Sequence, residues 1–481
     1  MFQRITVMCI VVFSLLACVT PQGCFADAVE VLEQAKAYKN SGNQQLAQQT
    51  YNTVAASYPG SGYALTAKSE ITIMSISAKT DSQVQAEINS LKLEFSGNAN
   101  LPAALCNIAA GYAWAGKYQQ GADLYQQIIQ DYPASGTIAK AQIGAARINA
   151  LSLIKSGDYT TAKTEVQQMI SSFSGSEYLP AALYHIARKY QWIREFDQAK
   201  GLLQQVIQLD PQGPEVGRAA FDIEQIEVLL LLKAGEFAQA GAKIEQFRQT
   251  FSANMGLPVA LYHLAQEYER QARYENASNL YQQVSTQYPD NFTGQRSQFD
   301  YPRTAVLSLI QGGDYTAAGD EAGKFKANFS SNPAFTKAMF NIGEEYYKKA
   351  VFSDPNAPAG QAKQLYQKAL TAWEAIIGQL PQSEAVIAAH TYFFSAVSCR
   401  YLDKYNEAIV YSQHVIDNWP DYQYVWHAQF LIGNCYESLR NTRVIPASEA
   451  DPKIRQAYTA VVEKYPDCPL AASARLILEQ M

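Results

Sequence analysis

A fixed internal period constrains this chain more than any other feature. The segment from Phe95 to Leu105, FSGNANLPAAL, returns as FSGSEYLPAAL from Phe173 to Leu183. It returns again as FSANMGLPVAL from Phe251 to Leu261, and a shortened copy, FSSNP, starts at Phe329. Each copy begins 78 residues after the last. Two further markers keep the same step: Leu124, Leu202 and Leu280, each opening an L-x-Q-Q tetrad, and Pro133, Pro211 and Pro289. Three markers locked to one period without an insertion or deletion predict an array of stacked copies of one unit.

Each unit divides into two helical hairpins. Short turns mark them: Gly116-Lys-Tyr118, Gly157-Asp-Tyr159, Arg194-Glu-Phe196, Gly235-Glu-Phe237, Ala272-Arg-Tyr274 and Gly313-Asp-Tyr315. Their spacing alternates between 41 and 37 residues. A glycine there enters the left-handed conformation that ends a helix at little cost, and the aromatic two positions on starts packing the next helix. Beside the turns, apolar residues follow helical spacing. Leu183, Ile186, Ala187 and Tyr190 share one face, as do Leu261, Leu264, Ala265 and Tyr268.

This pattern resembles the tetratricopeptide repeat (TPR). In the hairpin from Pro180 to Pro211 the signature positions hold Leu183, Ile186, Ala187, Tyr190, Ala199, Leu203, Val206 and Pro211. The hairpin before it holds Leu105, Ile108, Ala109, Tyr112, Gly121, Tyr125, Ile128 and Pro133. The equivalent one after it holds Leu261, Leu264, Ala265, Tyr268, Ala277, Tyr281, Val284 and Pro289. Small residues let two helices approach closely, and the closing proline cannot continue the second helix. The match is looser in the intervening hairpins, which lack that proline and have longer first helices. The resemblance implies an all-α chain, a right-handed superhelical solenoid of TPR-like helix-turn-helix repeats with about eleven helix pairs. Long repeats closing on Tyr-Pro, as at Tyr58, Tyr132, Tyr288 and Tyr465, narrow the resemblance to bacterial cell-envelope TPR proteins. These are the outer-membrane assembly lipoproteins and the coordinators of the Tol–Pal system.

The expected organisation has four parts: a signal peptide over 1–26, a regular array over 27–350, a turn-rich loop insertion over 351–362, and divergent repeats over 363–481 closed by a capping helix. In the leader, Arg4 precedes an apolar run from Ile5 to Ala17 that is too short to span a bilayer. Two cleavage readings stand. Leu15-Leu16-Ala17-Cys18 resembles a lipobox, which would leave Cys18 lipidated; Cys24-Phe25-Ala26 fits ordinary cleavage before Asp27. Either predicts export to the periplasm or cell envelope, with the lipobox adding an outer-membrane lipid anchor as the only membrane attachment.

Composition excludes some functions. The formal net charge is −6 with 17% charged residues and no run of either sign, which argues against nucleic acid as a partner. Hydrophobic residues make up 48%, enough for a continuous core. Beyond the leader stand Cys106, Cys399, Cys435 and Cys468, with no zinc spacing; an exported chain would permit a Cys399–Cys435 disulfide. No catalytic motif is present, and His185 and His263 are repeat equivalents explained by structure rather than chemistry. The expectation is therefore no enzyme, no cofactor and no metal.

The family resemblance also implies a binding face. Its ligand-contacting positions on the first helix of each hairpin are held here by Tyr184, Arg188, Gln191 and Trp192. In the equivalent hairpin they are held by Tyr262, Gln266, Glu269 and Arg270, and Trp114 precedes Trp192 by one period. Aromatic and arginine side chains dominate interface energies, whereas packing between hairpins is the competing role for the tryptophans. Three readings result. The first is a non-enzymatic scaffold that holds a peptide or protein partner in the solenoid groove. The second is a lipid-anchored subunit of an envelope assembly or maintenance complex. The third is a glycan-binding accessory protein or enzyme.

Overall fold

The structure, a computed structural model, describes residues 21–353, 360–380 and 384–481. The leader to residue 20, Cys18 with it, and residues 354–359 of the expected insertion lie outside the described residues. The described chain is all helix and turn, without a strand. It separates into two compact units, up to Lys233 and from Ala234 onwards.

Unit 1 contains α1 (Pro21–Asn40), α2 (Gln44–Ser57), α3 (Gly62–Ser75), α4 (Asp81–Glu94), α5 (Leu101–Trp114), α6 (Tyr118–Asp131), α7 (Ile138–Ser156), α8 (Tyr159–Phe173), α9 (Leu179–Trp192), α10 (Phe196–Leu209) and α11 (Val216–Ala234, to its penultimate residue). Unit 2 continues with α12 (Phe237–Thr250), α13 (Leu257–Arg270), α14 (Tyr274–Gln287), α15 (Phe292–Gly312), α16 (Tyr315–Phe329), α17 (Phe335–Val351), α18 (Gln361–Glu374), α19 (Ala385–Tyr401), α20 (Tyr405–Asn418), α21 (Val425–Asn441), α22 (Ala447–Lys464) and the closing helix α23 (Ala471–Glu479). The all-α array of helical hairpins expected from the period is what forms. The Cys399–Cys435 disulfide that export would permit is not formed in the structure: both thiols are free and buried.

The hairpin turns share one construction. Gly116, Gly157, Gly235 and Gly313 all have φ between +73° and +86°, and Arg194, Ala272 and Asp403 take the same left-handed region at +70°, +54° and +62°. Two backbone bonds close the turns at Gly116, Gly157, Arg194, Ala272, Gly313 and Asp403. At Ala272, its N–H donates to the Glu269 carbonyl (2.8 Å) and the Arg273 N–H to the Tyr268 carbonyl (2.9 Å). Asp158 and Asp314 then cap the following helix, each carboxylate accepting from a backbone N–H 3.0 Å away. At the opposite end, Pro102, Pro180 and Pro258 occupy the first turn of α5, α9 and α13, where a missing N–H costs nothing.

Packing makes two layers in each unit. Within each unit the hairpins pack their two helices together, and first helices also pack on the first helices of adjacent hairpins: α1 on α3, α3 on α5, α5 on α7 and α7 on α9, then α13 on α15, α15 on α17, α17 on α19 and α19 on α21. Among the described residues, second helices show no comparable mutual packing. First helices therefore form a crowded inner layer and second helices a splayed outer one. Small residues permit the close approach: Ala187, Ala199, Ala265 and Ala277 are fully buried. Gly144 and Gly343 sit where a Cβ would run into the rings of Tyr125 and Trp373.

Candidate functional site

The nine sequence-predicted residues fall in both units. In unit 1, Trp114 and Trp192 are 72% and 80% exposed, and Arg188 is exposed. Gln191 is half-buried, its side-chain amide donating to Gln225 at 3.1 Å. Tyr184 is buried. In unit 2, Arg270 is exposed, Gln266 and Glu269 are half-buried, and Tyr262 is buried. The expectation that the fifth position of the first helix offers its ring to a ligand fails for both tyrosines. Each lies under the next first helix, pairing its hydroxyl with an aspartate there: Tyr262 donates to Asp300 at 2.6 Å, and Tyr184 hydrogen-bonds Asp222.

The outward stripe keeps the predicted Arg188 and Trp192 and differs at its first place, where the residue after the tyrosine stands. On α9 it runs His185, Arg188, Trp192, and on α5 Asn107, Ala110, Trp114, with helical i, i+3, i+7 spacing. On α13 the same stripe is His263, Gln266, Arg270. Sequence reasoning set His185 aside as a structural repeat. Its ring meets that of Trp114 edge-to-face, with centroids 5.0 Å apart. Since α7 packs between α5 and α9, Trp114 reaches past one whole hairpin to make this contact. The inner face of unit 1 is therefore concave.

Three arginines act on this spot: Arg147 from α7, Arg188 from α9 and Arg218 from α11. Burial first, then these three charges, pull the His185 pKa down to about 4, so the ring is neutral at pH 7. Asp222 stands behind them. Burial raises its pKa, while the Tyr184 hydroxyl and the Arg188 and Arg218 charges work the other way.

Unit 2 builds its equivalent positions differently. Arg303, 7% exposed, donates to both oxygens of Glu269 (2.8 and 2.7 Å) and to Asp300 (3.2 Å). Tyr281 adds a hydroxyl to Glu269 at 3.2 Å. Glu269 and Arg303 stand 78 residues after Gln191 and Gln225, so a charged rung in one unit replaces an amide rung in the other. Arg270 is paired with Glu267. Among the described residues no cluster of His, Cys, Asp and Glu could hold a metal, and no helix is long and apolar enough to cross a membrane.

Inner and outer layers of short hairpins, with side chains presented from the inner one, define a helical-repeat protein of the solenoid class. The tetratricopeptide-repeat profile matches residues 31–61, 103–135, 181–213 and 259–291, so the chain carries tetratricopeptide repeats in these four segments. They coincide with the hairpins α1/α2, α5/α6, α9/α10 and α13/α14. The hairpins begun by α7 and α15, whose first helices run to 19 and 21 residues, are not matched. No curated protein matches the chain in sequence. Similar solved structures include a tetratricopeptide repeat protein from Parabacteroides merdae, with 9% identity and TM-score 0.32, covering 70% of this chain and 99% of that one. The TPR2AB domain of yeast Sti1 in its pHSP90 complex has 13% identity and TM-score 0.22, covering 63% and 99%. IFIT1 with m7Gppp-AAAA has 13% identity and TM-score 0.36, covering 84% and 89%. Scores this low carry no argument about ligands. Tetratricopeptide repeats in general mediate protein–protein interaction.

Proposed function

We propose that the chain is a non-enzymatic scaffold of the cell envelope that holds a segment of a partner protein against the inner face of unit 1. One observation carries this reading: Trp114 and Trp192, repeat equivalents, stand 72% and 80% exposed on the inner stripe. A packing role would have buried them. Large aromatic rings kept in water on a concave face are the groups that gain most from being covered. The test is a photo-crosslinking residue placed at 114 or 192, with an outer-layer control at Lys163, in cells that make the protein. Crosslinks to one defined protein from the inner positions, and none from Lys163, support the reading. The reverse pattern overturns it.

A second reading, a lipid-anchored subunit of an envelope complex, is favoured by Leu15-Leu16-Ala17-Cys18. Mass spectrometry of the mature N-terminus decides between them: a lipid-modified Cys18 supports the anchor, and a free terminus near Asp27 supports a soluble exported form. An uncleaved leader on cytosolic protein removes the envelope placement altogether.

A further inference from the structure

We propose that the segment seated on the inner face of unit 1 is acidic and extended, its side-chain carboxylates lodged among Arg147, Arg188 and Arg218 beside the Trp114–His185 ring pair. This deepens the reading above and rests on it. The motivating observation is how charge is divided between the two layers. The inner helices α5, α7 and α9 carry Lys140, Arg147, Lys155, Arg188 and Lys189, and not one carboxylate. The outer helices α6, α8 and α10 hold Asp123, Asp131, Glu165 and Asp197 against Lys163 and Lys200. A chain of net charge −6 thus keeps these three adjoining inner helices basic, while α11 carries Arg218 and Lys233 together with Asp222, Glu224 and Glu227.

Near the ring pair the opposing charges are few. Asp222 is buried and bound to the Tyr184 hydroxyl, and Glu215 lies 3.4 Å from Arg218. The charges that act on His185 itself are all three guanidinium groups, a local basic excess. In unit 2 the equivalent first helices neutralise themselves: Glu269 and Asp300 bind Arg303, and Glu267 binds Arg270. The excess in unit 1 is therefore not a property of the repeat. His185 fits the same picture: as a neutral ring it packs on Trp114 without adding charge. Guanidinium groups suit carboxylates because their planar donors match both oxygens.

The test uses the full chain and fluorescence anisotropy. The probe is a labelled, C-terminally amidated peptide of alternating Asp and Gly, and the comparison is the same peptide with Asn in place of Asp. The Asp peptide is expected to bind, to weaken as salt is added, and to lose about fivefold or more in affinity, the equivalent of ~1 kcal/mol, in Arg188→Gln. Glutamine is what the repeat itself places at the equivalent position, Gln266, so this variant keeps the fold. Trp114→Ala is expected to weaken binding as well, and Arg248→Gln, on α12 of unit 2, to leave it unchanged. Equal binding of the Asn peptide, no binding of either peptide, or unchanged affinity in Arg188→Gln each overturns the proposal. If crosslinks still form at 114 and 192, such a result removes the acidic partner and leaves the inner-face reading standing. Absent crosslinks remove both.

Discussion

Replacing Arg303 tests the reading of the charged rung most directly. Its guanidinium makes three hydrogen bonds to two carboxylates while almost wholly buried. Burial opposes its charge, but Glu269 and Asp300 outweigh that and keep it protonated. Arg303→Gln leaves both carboxylates without this partner. Breaking one side of a buried pair costs about 3–5 kcal/mol. The Glu269 side chain is 25% exposed and keeps the Tyr281 hydroxyl, and Asp300 keeps Tyr262 and has Arg296 at 3.9 Å. A loss of roughly 2–4 kcal/mol is therefore expected. The second variant, Glu269→Gln with Arg303→Gln, rebuilds the rung that unit 1 makes from Gln191 and Gln225. It should recover at least half of the loss, because Glu269 is then no longer charged without Arg303, while Asp300 keeps Tyr262 and Arg296 as its partners. Repeat arrays have no single global unfolding free energy, so the readout is hydrogen exchange in α13, α14 and α15. A single variant within about 1 kcal/mol of the parent, or a double variant no better than the single, refutes the reasoning.

Three further outcomes are expected. Ala272→Gly should stabilise by roughly 0.5–1 kcal/mol in local opening. Relief of a left-handed alanine, worth about 1–2 kcal/mol, exceeds the added freedom of the unfolded chain; Gly116→Ala should lose a similar amount. Ala187→Leu should overpack a fully buried helix contact and cost about 1–3 kcal/mol in local opening, and unchanged hydrogen exchange in α9 would mean the register is wrong. His185 has a folded pKa of about 4 against an ordinary 6.5, so the unfolded chain takes up its proton first as pH falls. Its contribution is whole above pH 6.5 and is lost towards pH 4. His185→Gln should therefore flatten the acid side of the stability profile of unit 1, by at most about 3 kcal/mol; an unchanged slope refutes the burial of this ring.

The turns were legible because the period aligned them. Position alone placed Arg194 and Ala272 with the glycines, and all share the left-handed conformation although neither residue favours it. Packing of the flanking helices imposes the turn, and glycine only makes it cheaper. The alanines of the core were equally readable from helical spacing. The site was less so, because one position of offset on a helix turns a side chain by about 100°. That offset separates buried Tyr184 from His185 on the presented stripe. The polar rungs were invisible for another reason. Asp300 lies 38 residues beyond Tyr262, on the next hairpin's first helix, and periodicity says nothing about which polar groups meet across that interface. Arg147 and Arg218 were hidden likewise, since they sit on the longer first helices that fit the repeat signature poorly.

The packing order has a kinetic consequence. Among the described residues, substantial helix contacts join only elements one or two places apart in the chain. Forming them closes short loops, so the entropic barrier to each is small and topology favours rapid folding. Nucleation can begin at any hairpin and spread to its neighbours. No step has to wait for distant segments to meet. Hairpins that leave the ribosome first can be complete while later ones are still being made. A truncation made between two hairpins should remove the hairpins beyond it and deprive the last remaining hairpin only of the neighbours on its open side.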